Sequence, residues 1–332
     1  MYGGEEFTLQ LDSHHRFADE WDRKMIDALE ATGSPKPILT SYAGIYDPQT
    51  DHKKSDAPFY MKAGAFTEAG TILFRPEVIP EWEGLQKPVK ARFVSGHYFF
   101  TLGSHCEEDA YDPQIYFAGD EISLSIRSFT LGYDLFHPHR TFVWHEYTRA
   151  GRRKHWDDHL SAGAEAGPAW HELDTASKRR LGKLLREEEN DEDLTGYGLG
   201  DVRTHRDYER YAGIDFASRR LHPETLVGEA PPCSSLPPEE WERQSAGAGD
   251  VTMRWKIEDI ERCDDLQFIY FGVEDAIGRV IYRYDAPPDS PEGSLRVSER
   301  AVGIHLPARA AKLVIWPVSR SRGWLRKVEY PL

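Results

Sequence analysis

The sequence predicts an α/β domain over residues 1–221, a linker over residues 222–249 and a small antiparallel β module over residues 250–332. The first domain is predicted because an alternating strand pattern, a helical stripe and a second short strand follow one another within the first 42 residues. The linker is predicted by its repeated Pro, Gly and Ser residues. The β module is predicted by several strand-like runs that turn residues separate.

The elements of the first domain start close to residue 1. Phe7, Leu9 and Leu11 alternate with polar residues, which predicts a strand with one face on a core. An apolar stripe from Phe17 to Leu29 predicts a helix. Further helices are predicted over 119–131, 173–189 and 204–213, the last from a capping-box pattern, and further β runs are predicted at 37–42, 71–74, 91–94, 141–144, 266–273, 279–284 and 312–316.

Composition excludes several classes of protein. A hydrophobic fraction of 39% with nine Trp residues supplies real cores and excludes an intrinsically disordered chain. The net charge of −15 argues against nonspecific binding to nucleic acid or to an anionic membrane. No apolar run approaches the roughly 20 residues that a membrane span needs, and the first residues lack the features of a signal peptide. Cys106, Cys233 and Cys263 lack metal-ligand spacing and predict free thiols in a reducing compartment, so we expect a cytoplasmic protein without nucleic-acid partners.

The run Asp12-Ser13-His14 is the most informative short motif. Strand alternation would place Asp12 and His14 on the same side, where a carboxylate and an imidazole suit a divalent metal such as Mn²⁺. The alternative is that Asp12 caps the following helix and His14 packs beneath it.

Two further features are weaker on their own. Asp120 and Glu121 stand at a predicted helix start upstream of His145, where adjacent carboxylates are usually solvated caps and a lone His is usually structural. The basic cluster 149–154 could face an anionic ligand such as a diphosphate or form an ordinary solvated loop.

Taken together, these pieces resemble one family. The segments LQLDSHHRFADEWD, KPILTSY, ARFVSGHYFF, YDPQIYFAGDEISLSIRSFTLGYDLFHP, VWHEYTRAGRRKHW and TGYGLGDVRTHRDYERYAGIDF are similar to glycosyltransferases that add N-acetylglucosamine (GlcNAc) to a protein, including the cytoplasmic enzymes that act on hydroxyproline. The resemblance covers roughly residues 2–220. More distantly, DSH, GDEISLSIR and the later His145 are similar to stretches of mucin-type polypeptide GalNAc-transferases.

The resemblance implies a GT-A fold, a Rossmann-like α/β sandwich that uses a nucleotide-sugar donor, here UDP-GlcNAc, and a divalent cation such as Mn²⁺. It implies Asp12, His14 and His145 as metal ligands and Asp120 with Glu121 as the catalytic pair at the donor sugar and acceptor, where the family usually has two glutamates. The residues implied in substrate binding are Ser95, Gly96, His97, Arg152, Arg153, Lys154 and Trp156.

In GT-A enzymes the strands and turns that bind uridine precede the metal motif, which lies here at residue 12. We therefore expect an N-terminally truncated domain whose strand at Leu9 and Leu11 lacks neighbours and exposes an edge. Three functions stay open on the residues: a metal-dependent, retaining GlcNAc transfer to a protein hydroxyl, a noncatalytic remnant or fragment that acts as a binding module, and a metal-dependent hydrolase. The sequence leaves the exact donor sugar open.

Overall fold

A computed structural model of the protein describes residues 2–50, 52–53, 55–67, 70–117, 119–147, 168, 170–186, 190–237, 240, 249–275, 278, 280–304 and 310–332. The chain divides into two compact units. The first unit consists of Met1–Ala63, Phe74–Arg152 and Asp174–Leu236, and the second of Gly64–Leu73, Arg153–Leu173 and Pro237–Leu332.

The α-helices of the described residues are α1 (Trp21–Glu30), α2 (His105–Glu108), α3 (Asp120–Thr130), α4 (Trp170–Leu184), α5 (His205–Ala212) and α6 (Pro223–Val227). Strands up to residue 145 are β1 (Phe7–Leu11), β2 (His15–Phe17), β3 (Pro37–Thr40), β4 (Gly44–Asp47), β5 (His52–Lys53), β6 (Phe59–Phe66), β7 (Ile72–Val78), β8 (Val89–Lys90), β9 (Tyr98–Leu102), β10 (Asp134–His137) and β11 (Val143–His145). The later strands are β12 (Ile214–Asp215), β13 (Arg220–Leu221), β14 (Gly249–Arg254), β15 (Leu266–Asp275), β16 (Val280–Ala286), β17 (Glu299–Ile304), β18 (Ala310–Ser319), β19 (Gly323–Trp324) and β20 (Val328–Pro331). The mixture of helices and sheets confirms the predicted α/β class.

Two mixed sheets carry the first unit. One has the order β1-β9-β3-β10-β8, in which β3 and β10 are parallel and the other neighbours are antiparallel. The other has the order β2-β11-β4-β5, in which β11 and β4 are parallel. Helix α1 packs Met25 and Leu29 into a core with Leu39 of β3 and Phe100 of β9.

Strand β1 confirms the alternating pattern, but the expectation that it lacks neighbours is wrong. It pairs with β9 along its whole length, from Phe7 opposite Leu102 to Leu11 opposite Tyr98. Phe7, Leu9 and Leu11 are half-buried against the core that α1 also joins. Pairing with a strand that lies far along the chain therefore satisfies one edge of β1 and covers its apolar face.

Two predicted elements are shifted. The helix predicted from Phe17 begins at Trp21, because Phe17 pairs with Val143 as part of β2. No strand forms at 91–97, where a β run was predicted over 91–94. Two backbone N–H groups of this segment donate to side-chain hydroxyls instead of to a neighbouring strand. The Val94 N–H donates to Ser125 Oγ at 2.7 Å, and the Ser95 N–H donates to Thr40 Oγ1 at 2.8 Å.

Helix α5 confirms the capping box. The Thr204 side chain accepts from the Asp207 N–H, the Asp207 side chain accepts from the Thr204 N–H, and Gly213 ends the helix in the left-handed conformation. Helix α4 begins three residues earlier than predicted, at Trp170.

The described strands of the second unit from β14 onward pair antiparallel throughout. β14 pairs with β17, and β16-β15-β18-β19 form one sheet to which β20 adds at β18. The division into 1–221, 222–249 and 250–332 stays a prediction. Cys106, Cys233 and Cys263 are all free, as expected. Among the helices that the structure describes, none has both the length and the apolar composition that crossing a membrane requires.

Candidate functional site

Because of the turn after β1, His15 rather than His14 lies next to the other histidines of the site. β1 ends at Leu11, and His14 adopts a left-handed backbone with φ of 69° before β2 begins at His15. Because residues 12–14 are not a strand, side-chain alternation does not apply to them. His15 lies directly opposite His145 in the β2–β11 pair, and His14 is exposed.

Three imidazoles converge at this point, and we call His15, His97 and His145 the imidazole cluster. One ring nitrogen from each lies within 4.8 Å of the others. The ring centroids of His15 and His145 are 4.8 Å apart, and those of His97 and His145 are 4.6 Å apart. Strands β2 and β11 supply two of these side chains, and the residue before β9 supplies the third.

A carboxylate stands behind His97. Asp12 Oδ2 lies 3.2 Å from His97 Nδ1, and the Asp12 N–H donates to the His97 carbonyl oxygen at 3.1 Å. The His97 hydrogen bond lowers the pKa of Asp12, so its carboxylate is ionised at neutral pH. A carboxylate can only accept, so His97 donates to Asp12 from Nδ1, and its Nε2 accepts from the Ala43 N–H at 3.3 Å.

The donor chemistry of the cluster fits a divalent transition metal. His15 Nε2 and His145 Nδ1 are buried and have no hydrogen-bond partner among the residues that the structure describes. Burial, reinforced by the neighbouring His97, lowers the pKa of both His15 and His145 to about 4. These imidazoles are therefore neutral at physiological pH, which is the form that binds a metal ion.

A pair of carboxyls opens helix α3. Gly119 precedes it with φ of 99°, and a Cβ there would lie 2.5 Å from Leu181 Cδ2 of α4, so this position requires glycine. The Glu121 N–H donates to Asp120 Oδ1 at 2.7 Å. The pair is thus held by a sharp turn that packs against a neighbouring helix.

The pKa of each carboxyl is raised, which favours its protonated form. Burial raises the pKa of Asp120 to about 6. Burial and then the charge of Asp120 raise the pKa of Glu121 to about 8, so Glu121 is largely protonated at neutral pH. The Tyr42 hydroxyl donates to Glu121 Oε2 at 2.9 Å, and hydrogen bonds from Ser95 and the Gly96 backbone also reach this carboxyl.

The segment 95–97 joins the carboxyl pair to the imidazole cluster. Ser95 and Gly96 contact Glu121, and His97 belongs to the cluster. A Cβ on Gly96 would lie 2.5 Å from Asp120 Oδ2 and 3.1 Å from the Tyr111 hydroxyl. A larger residue at position 96 would therefore displace the Asp120 carboxylate.

The structure brings together most of the residues that the sequence singled out: Asp12, Ser95, Gly96, His97, Asp120, Glu121 and His145. His14 is not part of the imidazole cluster. Arg152, Arg153, Lys154 and Trp156 lie outside the described residues.

Sequence reasoning missed His15, Tyr42, Tyr111 and Tyr147. The His14-His15 doublet was the available signal for the first of these. Tyr147 contacts His97 Nε2 at 3.2 Å, and Tyr42 reaches Glu121 from a position 79 residues away. No local pattern marks such long-range partners.

His222, Glu224 and Cys233 form a second group with ligand atoms within 4.8 Å of one another. Here the Glu224 N–H donates to His222 Nδ1 at 3.2 Å, and Arg92 Nη1 donates to Cys233 Sγ at 2.9 Å. Burial raises the pKa of Cys233, so the thiol stays protonated, and the adjacent guanidinium repels a cation. We interpret this group as a structural cap of α6.

The imidazole cluster and the carboxyl pair both lie within the part of the chain that one protein family matches. The family described as "GlcNAc: Glycosyltransferase (GlcNAc)" matches residues 1–218. None of the curated proteins compared matches the chain. The match covers more than half of the chain and contains every described residue of the site, and the chain therefore belongs to the GlcNAc glycosyltransferase family.

Proposed function

We propose that this protein transfers N-acetylglucosamine from UDP-GlcNAc to a hydroxyl group of a protein or peptide acceptor, with retention at the anomeric carbon and with a divalent cation such as Mn²⁺. The observation that carries the proposal is the junction at 95–97, where a cluster suited to a metal and a buried carboxyl pair meet inside the family match. A GT-A arrangement and a cytoplasmic location are part of the proposal, the latter supported by the free cysteines.

We assign metal binding to the end of the site that contains Asp12 and His145. The family resemblance implies Asp12, His14 and His145 as ligands, and His145 offers a buried nitrogen without a partner among the described residues. A bound cation would supply Lewis-acid neutralisation of the charge that develops on the leaving diphosphate. Neutral imidazoles leave the ion its full charge for that purpose.

Asp120 and Glu121 act on the sugar and the acceptor. Glu121 is largely protonated at neutral pH and can donate one hydrogen bond to a substrate oxygen, while Tyr42 fixes its position. Asp120 is ionised above about pH 6 and can accept a hydroxyl proton in a hydrogen bond. Its negative charge also balances partial positive charge on the anomeric carbon. Both groups are held before substrate arrives, which lowers the entropic part of the barrier.

The resemblance assigns donor contacts to Arg152, Arg153, Lys154 and Trp156. Cationic side chains suit the phosphate oxygens of the donor, and a Trp ring suits an apolar face of a sugar or base. We include them in the proposed donor site on sequence alone.

Calorimetric titration with UDP-GlcNAc tests the proposal without an acceptor. We expect binding in Mn²⁺ and a loss of at least about 10-fold in affinity with EDTA or in His145→Ala, because metal ligands contribute directly to holding the diphosphate. UDP-glucose is the control for sugar recognition, and the melting temperature of the metal-free variant shows that it folds. A folded wild-type chain that does not bind UDP-GlcNAc in the presence of Mn²⁺ would contradict the proposal and favour a noncatalytic binding module.

A further inference from the structure

We propose that the metal of this site is held by three imidazoles, those of His15, His97 and His145, and that Asp12 supports His97 from behind rather than binding the ion. The inference rests on the proposed function only in that the site holds a metal. It differs from the ligand set that the family resemblance implies, in which His14 binds the ion and His15 and His97 do not.

Two buried ring nitrogens of the imidazole cluster are available to a metal ion. His15 Nε2 and His145 Nδ1 are buried without a partner among the described residues, a state that costs free energy unless a ligand is bound. Nitrogens on one ion at Zn–N lengths of about 2.0–2.1 Å lie about 3 to 4 Å apart. One ring nitrogen of each of the three histidines already lies within 4.8 Å of the others, so side-chain rotation brings three nitrogens to that spacing without a change in the strands.

The hydrogen bonds of His97 are those of a metal-binding histidine. A metal-binding imidazole commonly donates its other N–H to a carboxylate, which fixes the tautomer and the ring orientation. His97 already makes this bond, from Nδ1 to Asp12 Oδ2 at 3.2 Å, which leaves Nε2 as the ligand atom. The same carboxylate is therefore occupied in a supporting role.

His97 Nε2 is only weakly engaged by the protein. The Ala43 N–H lies 3.3 Å away, longer than the usual hydrogen bond of about 2.9–3.0 Å. The Tyr147 hydroxyl lies 3.2 Å from Nε2 but donates its single proton to the Ala43 carbonyl oxygen at 3.0 Å. A cation at Nε2 would therefore replace the long Ala43 hydrogen bond and the Tyr147 contact.

His14 lies in a turn that keeps its side chain away from the imidazole cluster. Its backbone has φ of 69°, its side chain is exposed, and its carbonyl oxygen accepts from the Glu146 N–H at 3.2 Å. That bond holds the backbone on which His15, the next residue, lies opposite His145. Recruiting the His14 ring would require the turn to rearrange.

An imidazole-rich site has a definite metal preference. Nitrogen ligands favour Co²⁺, Ni²⁺ and Zn²⁺, whereas Mn²⁺ and Mg²⁺ are better served by carboxylate and water oxygens. We therefore expect Co²⁺ to bind more tightly than Mn²⁺ to the chain without donor, and to give the visible absorption of a nitrogen-rich centre.

Cobalt titration of the full-length chain, followed by visible absorption and calorimetry without UDP-GlcNAc, tests the ligand set. We expect His15→Ala and His97→Ala each to weaken Co²⁺ binding by at least about 10-fold, Asp12→Asn by less than either, and the matched variant His14→Ala to stay within about twofold of the wild type. The metal-free melting temperature of each variant checks its folding. If His15→Ala is unfolded, the comparison of Co²⁺ binding by His97→Ala and by His14→Ala tests the ligand set on its own.

Each outcome separates the inference from the proposed function. Loss of Co²⁺ binding in His14→Ala with retention in His15→Ala and His97→Ala would overturn the three-imidazole centre and leave metal-dependent transfer intact. A wild-type chain that binds neither Co²⁺ nor Mn²⁺ would overturn both. Mn²⁺-dependent binding of UDP-GlcNAc that survives His97→Ala unchanged would also overturn the role of His97 alone.

Discussion

Replacing Glu121 with Gln is expected to lower GlcNAc transfer by roughly 100-fold or more and, at the same time, to stabilise the protein at alkaline pH. The loss of transfer is expected because the hydrogen bonds from Tyr42, Ser95 and Gly96 hold a carboxyl whose O–H donates to the substrate oxygen, and a Gln amide does not reproduce that donor in the same position. The gain in stability follows from the pKa of Glu121, which burial and the charge of Asp120 raise to about 8.

The sign of the stability effect is fixed by proton binding. Between the model-peptide pKa of about 4.5 and the folded value of about 8, the folded chain keeps a proton on Glu121 that the unfolded chain has lost. The free energy of unfolding therefore falls as pH rises through that range. Gln is neutral at every pH and removes the penalty, which approaches about 5 kcal/mol well above pH 8.

Urea denaturation of wild type and Glu121→Gln at pH 5 and pH 9 measures this effect. We expect nearly equal stabilities at pH 5 and a more stable variant at pH 9. Glu77→Gln is the control with opposite sign, because burial is outweighed at Glu77 by hydrogen bonds from Lys62 and Tyr60, which lower its pKa. Equal pH dependence in wild type and Glu121→Gln would contradict a protonated Glu121.

Replacing Arg180 with Ala is expected to destabilise the protein by about 3–5 kcal/mol, because it leaves a buried carboxylate without its partner. Arg180 Nε donates to Asp112 Oδ2 at 2.6 Å, and the two side chains are 2% and 4% exposed. Asp112 lies in the loop that carries Tyr111 and leads toward Asp120. The same variant should therefore also weaken UDP-GlcNAc binding.

Two comparisons isolate the buried charge as the cause. Arg23→Ala removes an exposed pair with Asp27 on α1, whose side chains are 77% and 57% exposed, and should leave the free energy of unfolding almost unchanged. Arg180→Met combined with Asp112→Leu removes both buried charges and should recover most of the lost stability. A thermal or urea denaturation series measures all three. An equal loss of unfolding free energy in Arg180→Ala and Arg23→Ala would show that burial of the Arg180–Asp112 pair does not increase its contribution to stability.

Local patterns predicted those elements whose stability is itself local. The capping box at Thr204 and Asp207 can be read from four residues, because both hydrogen bonds close within one helical turn. The alternation of Phe7, Leu9 and Leu11 predicts β1, because one face of that strand meets a core. The start of α1 was misplaced because pairing between β2 and β11, more than 120 residues apart in sequence, decides it.

The site was predicted as a set of residues more readily than as a geometry. Asp12 and His97 are 85 residues apart, and their contact depends on the β1–β9 register. The left-handed backbone of His14, which brings His15 to His145, has no local marker such as glycine. The raised pKa of Glu121 depends on burial, which only the packed structure determines.

The central claim is that this chain moves GlcNAc from a nucleotide donor, and release of UDP tests it most directly. The measurement is UDP formation from UDP-GlcNAc and, in parallel, from UDP-GalNAc, with Mn²⁺ or Co²⁺, in the presence of peptides that carry serine, threonine or hydroxyproline. We predict release from UDP-GlcNAc that requires the metal, that exceeds release from UDP-GalNAc and that Glu121→Gln lowers by roughly 100-fold or more. A folded chain that releases no UDP, or releases it equally well in EDTA, would contradict the account.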